Sequence, residues 1–262
     1  MSYEYLHIEK TNQVATVWLN RPEVHNAFNE GVISELQRAL EDLGADDEVR
    51  VVMLAGRGKS FSAGADLNWM KKAGEADLDE NIADAERLAK MLQTLATLPK
   101  PTIARVHGAA LGGGMGLAST CDICIASTEA KFATSEVRLG LAPSTISPYV
   151  IRAIGERQAR RYFLTAERID AQTAYHIGLA HEVCAPDELD ATVDKIIQAI
   201  LQGAPNAQAD SKTLIDMVAK KAVDEALLTE TAKHIANIRQ GSEAKEGLQA
   251  FLNKRSPAWI AK

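Results

Sequence analysis

The chain has 262 residues, 46% of them hydrophobic and 24% charged, with a formal net charge of −6 at pH 7. A chain of that length can bury a core without disulfides, as one large domain or one domain with an appended unit. Its acidic balance argues against general attraction to nucleic-acid phosphates, so no nucleic-acid partner is expected.

Three cysteines suit a reducing compartment. The first 13 residues show no basic segment followed by an apolar run, and nothing approaches the ~18 apolar residues of a bilayer span. A cytoplasmic protein with no membrane partner is therefore expected.

Alternation over residues 5–9 and the β-branched run 16–19 predict two strands with a turn at 11–13, stopped by Asn20-Arg21-Pro22. Asn29 is placed to cap a helix in which Val32, Ile33, Leu36, Ala39, Leu40 and Leu43 recur at helical spacing. The apolar run 49–54 reads as a strand buried on both faces, and 56–62 as a loop. A helical pattern over 67–95, with 71–79 expected to be mobile, is broken at Pro99-Lys100-Pro101. A strand over 102–107 leads into a glycine-rich turn, 108–116, and a helix through Ser119; short strands follow at 122–127 and 131–133. Residues 143–179 read as helical, with a cap region at Ile169-Asp170-Ala171, and 181–184 as a last strand. A helix over 189–201, a linker at 203–210 and two helices, 211–228 and 230–252, close the chain.

Two Gly/Ala-rich turns follow buried strands: Ser62-Ala63-Gly64-Ala65-Asp66-Leu67, and Gly108 to Gly116. Each alone is open to two readings, a tight turn where only small residues fit or a place where a ligand approaches the backbone. A turn that opens a helix also presents unpaired N–H donors, and two aimed at one point make an oxyanion hole. Leu117 stands where a dinucleotide-binding glycine pattern would need glycine.

Taken together, four segments in order carry a family resemblance: Leu19-Asn20-Arg21-Pro22 with Asn26-Ala27-Phe28, the Ala63 to Leu67 turn, Gly112-Gly113-Gly114 with Cys121-Asp122-Ile123, and Phe251, Lys254-Arg255, Pro257 and Trp259. Over nearly its full length the sequence resembles the crotonase (enoyl-CoA hydratase/isomerase) superfamily. The resemblance implies an α/β fold, a ββα-superhelix core over residues 1–188 and a C-terminal helical part, 189–262, that packs across a homotrimer or a dimer of trimers. It implies an acyl-CoA substrate and no separate cofactor, coenzyme A being part of the substrate. The peptide N–H groups of Ala65 and Gly113 would hold the thioester oxygen. The backbone of Ala63, Asp66 and Leu67 would hold the adenine end, and Lys254, with Arg255, would lie near the phosphates.

Family hydratases pair two glutamates. One position is Gly116 here, and the other matches Glu136, between apolar residues that would raise its pKa and suit it to proton transfer. A surface glutamate paired with Arg138 or Arg152 is the plain alternative. Hydroxyls in Pro143-Ser144-Thr145-Ile146-Ser147 could position a water or a polar substrate group. The surrounding sequence further resembles hydratases of methylglutaconyl-CoA or isohexenylglutaconyl-CoA, whose second carboxylate would want a cation; Arg138, Arg152 and Lys71 are the candidates.

Trp69 could wall the acyl pocket or simply be core. Cys121 and Cys124, with no second pair to complete a metal site, read as buried cysteines, and no metal is expected. His107 and His25 read as structural, although each lies near the site. A hydratase is the leading expectation, with a double-bond isomerase as the rival because one carboxylate suffices for it. RNA binding and non-catalytic acyl-CoA binding are the readings from other classes.

Overall fold

The computed structural model describes residues 3–219 and 221–260, so the extreme ends of the 1–188 and 189–262 spans lie outside it. β1 (Leu6–Thr11) and β2 (Val14–Leu19) pair antiparallel through a tight turn in which Asn12 and Gln13 both take positive φ. α1 (Glu30–Ala45) begins where the Asn29 side chain accepts from the Val32 N–H at 2.8 Å. β3 (Val51–Gly56), α2 (Leu67–Glu75) and α3 (Leu78–Ala96) follow. Then come β4 (Thr102–Val106), β5 (Ala109–Leu111), α4 (Gly113–Thr120), β6 (Ile123–Ser127) and β7 (Lys131–Ala133). A 3-10 turn, Glu136–Leu139, precedes α5 (Ser147–Thr165), β8 (Ile169–Asp170), α6 (Ala171–His176) and β9 (Glu182–Cys184). α7 (Leu189–Gln202), α8 (Pro205–Val218), α9 (Glu225–Gln240) and α10 (Ser242–Leu252) complete the chain.

The first sheet runs β1-β2-β3-β4-β6-β9 and is parallel after its opening hairpin; the second runs β5-β7-β8. Register sets Val17, Leu54, Ala104 and Cys124 in one row across the first sheet. That row packs with Leu36 and Leu40 of α1 and Leu92 and Leu95 of α3. Because successive strand residues face opposite sides, Val51, Ile103 and Ile125 point the other way, onto Leu189, Val193 and Ile197 of α7. Both faces are covered, which is why β3 is apolar throughout. The same burial pushes the Cys124 thiol up to about 12 and the Cys121 thiol well above its ordinary value, leaving both inert.

Since α7 lies on the sheet, the boundary between 188 and 189 falls between the sheet and a helix packed on it. The elements packed chiefly on one another are α8, α9 and α10. Buried Arg50 ties this part to the sheet: it donates to the Gly203 carbonyl at 2.6 Å and to the Trp259 carbonyl at 3.5 Å.

Several expected boundaries move. The expected linker at 203–210 is mostly α8, because Pro205 sits in the first helical turn, where its missing N–H costs nothing. The two expected closing helices are three, split at Asp224, which caps α9, and at Gly241. The 71–79 stretch is the end of α2, the Asp77 cap and the start of α3. The 143–179 stretch is broken by a loop before α5, by Gly155 inside it (φ 76°) and by β8.

Candidate active site

The N-terminal Asn20 to Phe28 segment builds the first turn. Asn26, buried and left-handed, donates to the carbonyls of Arg57 (2.9 Å) and Ser60 (2.8 Å), while its own side-chain oxygen accepts from the Arg21 N–H. Arg21 in turn donates to the Ala27 carbonyl at 2.7 Å and pairs with Asp66 at 3.0 Å. Phe28 brackets the turn, donating its N–H to the Gly64 carbonyl (2.6 Å) and accepting from the Asp66 N–H (2.8 Å). Between those two bonds the Ala65 N–H is left with no acceptor among the described residues.

The second turn is held against the first. The Ser62 N–H donates to Ala109 and the Leu111 N–H to Ser62, both at 2.9 Å, extending the pairing of β5. Gly64 (φ 91°) is obligatory there, because a Cβ would stand 2.8 Å from the Leu111 carbonyl oxygen. Gly112 (φ 49°) donates to the Ala133 carbonyl at the end of β7 and opens α4 with no side-chain cap. The Gly113 N–H therefore also has no acceptor among the described residues, at the positive end of a helix.

Glu136 enters three residues beyond β7. Its Oε1 lies 3.3 Å from where a Gly112 Cβ would stand, and its Oε2 is buried with no hydrogen-bond partner among the described residues. Burial raises its pKa above the ordinary carboxylate value, partly offset by its own backbone N–H. The structure thus brings Gly112 and Glu136 together, with the open Gly113 N–H next in the chain and Ala65 next after Gly64, which packs on Gly112. Two open N–H donors near a carboxyl of raised pKa are groups that can stabilise an enolate and move a proton.

The other expected residues fall elsewhere. The Asp66 carboxylate caps α2 through the Asn68 and Trp69 N–H groups and pairs with Arg21, while the Ala63 N–H goes to the His25 carbonyl. Besides the Ala65 N–H, the Ala63 to Leu67 turn leaves the Ala63 and Ala65 carbonyls and the Leu67 N–H open among the described residues. Trp69 packs onto the core and lines a groove with Glu30, Ser34, Lys72 and Asn81, between α1, α2 and α3. Lys254 follows α10, takes φ 53° and makes no side-chain bond among the described residues. Its neighbour Arg255 grips Glu246 through two bonds, 2.6 and 2.8 Å, that hold the Glu246 carboxyl at about 2.

Arg138 donates to the Ala166 carbonyl and Arg152 pairs loosely with Asp216 at 3.8 Å, so neither meets Glu136. His25 bonds Ser60 and His107 meets the Gly58 carbonyl. The Ser144 and Ser147 hydroxyls donate to carbonyls of their own loop. Phe28 and Asn26 were present in the sequence as motif letters, but nothing in their spacing announced that they hold the turn.

A crevice of about 470 Å³ lies among α8, α9 and α10. Its Glu243 is spent on the Asn206 and Ala207 N–H groups, and it has none of the chemistry gathered at Gly112.

Open N–H groups on two facing turns and one buried carboxyl are groups of the kind an acyl-transfer or enolate-forming enzyme uses. Residues 9–262 match the model of the enoyl-CoA hydratase/isomerase family, and the chain belongs to that family, the crotonase superfamily. It is 34% identical to a crotonyl-CoA hydratase of Syntrophomonas wolfei, with all of both chains covered. It is 32% identical to a trans-2-decenoyl-acyl-carrier-protein isomerase of Streptococcus mutans, again over the whole of both. The crystal structure of an enoyl-CoA hydratase from Shewanella pealeana superposes with a TM-score of 0.95 at 45% identity, covering 98% of this chain and 96% of that one. No helix among the described residues is long and apolar enough to cross a membrane.

Proposed function

We propose that the chain hydrates an α,β-unsaturated acyl-CoA. The observation that carries this reading is the buried, partnerless Glu136 carboxyl beside Gly112, with the open Ala65 and Gly113 N–H groups on the flanking turns. Glu136 takes a proton from the attacking water, whose oxygen bonds to C3, and returns that proton to C2. The negative charge that develops on the thioester oxygen is held by the two N–H donors. The open Ala63 carbonyl and Leu67 N–H form an acceptor–donor pair suited to the adenine edge.

The substrate we favour is a branched glutaconyl-CoA. Of the three candidate cations, only Lys71 has no ion pair or side-chain hydrogen bond among the described residues. It is exposed on α2, ~200° round the helix from core-packed Trp69. The Streptococcus mutans relative and the single carboxyl favour the second reading, isomerisation, in which Glu136 moves a proton between carbons and no water is consumed.

Incubation of 3-methylglutaconyl-CoA and crotonyl-CoA in heavy-oxygen water tests both readings. Hydration is expected to incorporate label, faster with the glutaconyl substrate, and Lys71→Met is expected to raise KM for that substrate about tenfold while sparing crotonyl-CoA. Turnover without label would instead assign the chain to the isomerases.

The helices after residue 188 support a trimer. Ile215, Leu228, Leu248, Phe251 and Leu252 are all more than half exposed in one chain, an apolar display suited to burial between subunits. A trimer would also bring Lys254 to a neighbour's phosphates. Sedimentation is expected to give three or six chain masses, and a monomer would overturn this.

A further inference from the structure

Gly112 is the N-cap of α4, and the Gly116 N–H donates to its carbonyl at 3.0 Å, one turn into the helix. A Cβ at the first would touch the Glu136 carboxyl, at 3.3 Å. A Cβ at the second would overlap Ile146 Cγ2 and stand 2.9 Å from Ile146 Cβ. Glu136 and Ile146 therefore pack at the N-terminal end of one helix, against two glycines joined by a backbone hydrogen bond.

Ile146 is held firmly in that seat. It is 3% exposed, and its carbonyl accepts from the Tyr149 and Val150 N–H groups, both at 3.1 Å, at the start of α5. The turn before it is braced by the Ser147 hydroxyl on the Ser144 carbonyl, at 2.8 Å. A branched aliphatic side chain thus fills the room that any side chain at position 116 would need.

We propose that Ile146, seated against Gly116, is a specificity-determining wall of the acyl pocket that closes it beside Glu136 and excludes a second acid–base group. The inference rests on the acyl-CoA reading above and adds to it the residue that sets the shape of the acyl end. Trimming this wall lengthens the pocket along α4, so longer or more branched chains gain while short ones do not. A methylene in an apolar pocket is worth about tenfold or more in discrimination.

The test compares wild type, Ile146→Val, Ile146→Ala, Gly116→Ala and the double variant Gly116→Ala/Ile146→Ala. Each is assayed for kcat/KM on enoyl-CoAs of increasing length, for dissociation constants of the saturated analogues butyryl-CoA and octanoyl-CoA, and for melting temperature. The long-to-short ratio is expected to rise about tenfold in Ile146→Ala, through KM and analogue binding more than kcat, with Ile146→Val between. Gly116→Ala alone should lose turnover on every chain, and the double variant should recover it. A lower melting temperature with unchanged ratios in both readouts would make Ile146 a packing residue and overturn the proposal. Should wild type bind an analogue but turn over nothing, the hydratase reading fails while the binding ratios still decide Ile146; should it bind none, both fall.

Discussion

Glu136→Gln is expected to cut turnover by about 100-fold or more, the range that a positioned acid–base group contributes, with KM nearly unchanged. Glutamine keeps the shape and loses the proton. Burial favours the neutral acid and lifts the Glu136 pKa above the ordinary carboxylate range. The ionised form is the one that accepts a proton from water, so wild-type kcat/KM should fall as pH drops through that raised value, and the variant's residual activity should lack this limb.

Stability carries the opposite sign. A carboxyl whose folded pKa is raised favours the folded state fully below its unfolded pKa, and that contribution is lost as pH rises through the folded value. At neutral pH the buried, partnerless Oε2 is thus a cost. Glu136→Gln should melt at or above wild type there, and the difference should shrink on acidification. Full turnover in the variant would take Glu136 out of the chemistry, and a much lower melting temperature would make its role structural.

What was legible in the sequence follows from locality. α1 could be read from its Asn29 cap and its repeated apolar face, and β3 from a continuous apolar run, because both signals lie within one segment. Ala65, Gly113 and Glu136 could be named only through the family resemblance of their motifs, because how near they lie to one another depends on register between strands. The Asn20 to Phe28 segment stood out as a motif without a physical role; only the fold shows Asn26 gripping Arg57 and Ser60, and Phe28 bridging Gly64 and Asp66. Ile146 was invisible for the same reason, since its partner Gly116 is thirty residues away and carries no side chain to suggest a contact. The helix boundaries after Gly203 were misread because small and polar residues such as Ala204 to Asp210 suit a linker or an exposed helix equally, and a proline at the start tips them to helix.

Phe28 also carries the second large effect, because its ring abuts Gly113, whose N–H is proposed with that of Ala65 to hold the developing charge. A Cβ at Gly113 would stand 2.8 and 2.9 Å from the Phe28 Cε2 and Cδ2 atoms, and Phe28 is 1% exposed. Gly113→Ala must therefore displace either the first turn of α4 or the residue that brackets Ala65. Either movement misaims an N–H donor, and losing one such donor costs about 10²–10³-fold in kcat. The ground-state carbonyl binds the hole less tightly than the enolate does, so KM should move much less than kcat. Phe28→Leu supplies the control: the smaller side chain removes the ring edge, and the Gly113→Ala/Phe28→Leu pair should regain part of the lost kcat despite being less stable than either parent. If Gly113→Ala instead keeps wild-type kcat while its melting temperature falls, the N–H at 113 does not hold the developing charge. If kcat falls but Phe28→Leu recovers none of it, the Phe28 ring is not what fixes the donor's aim.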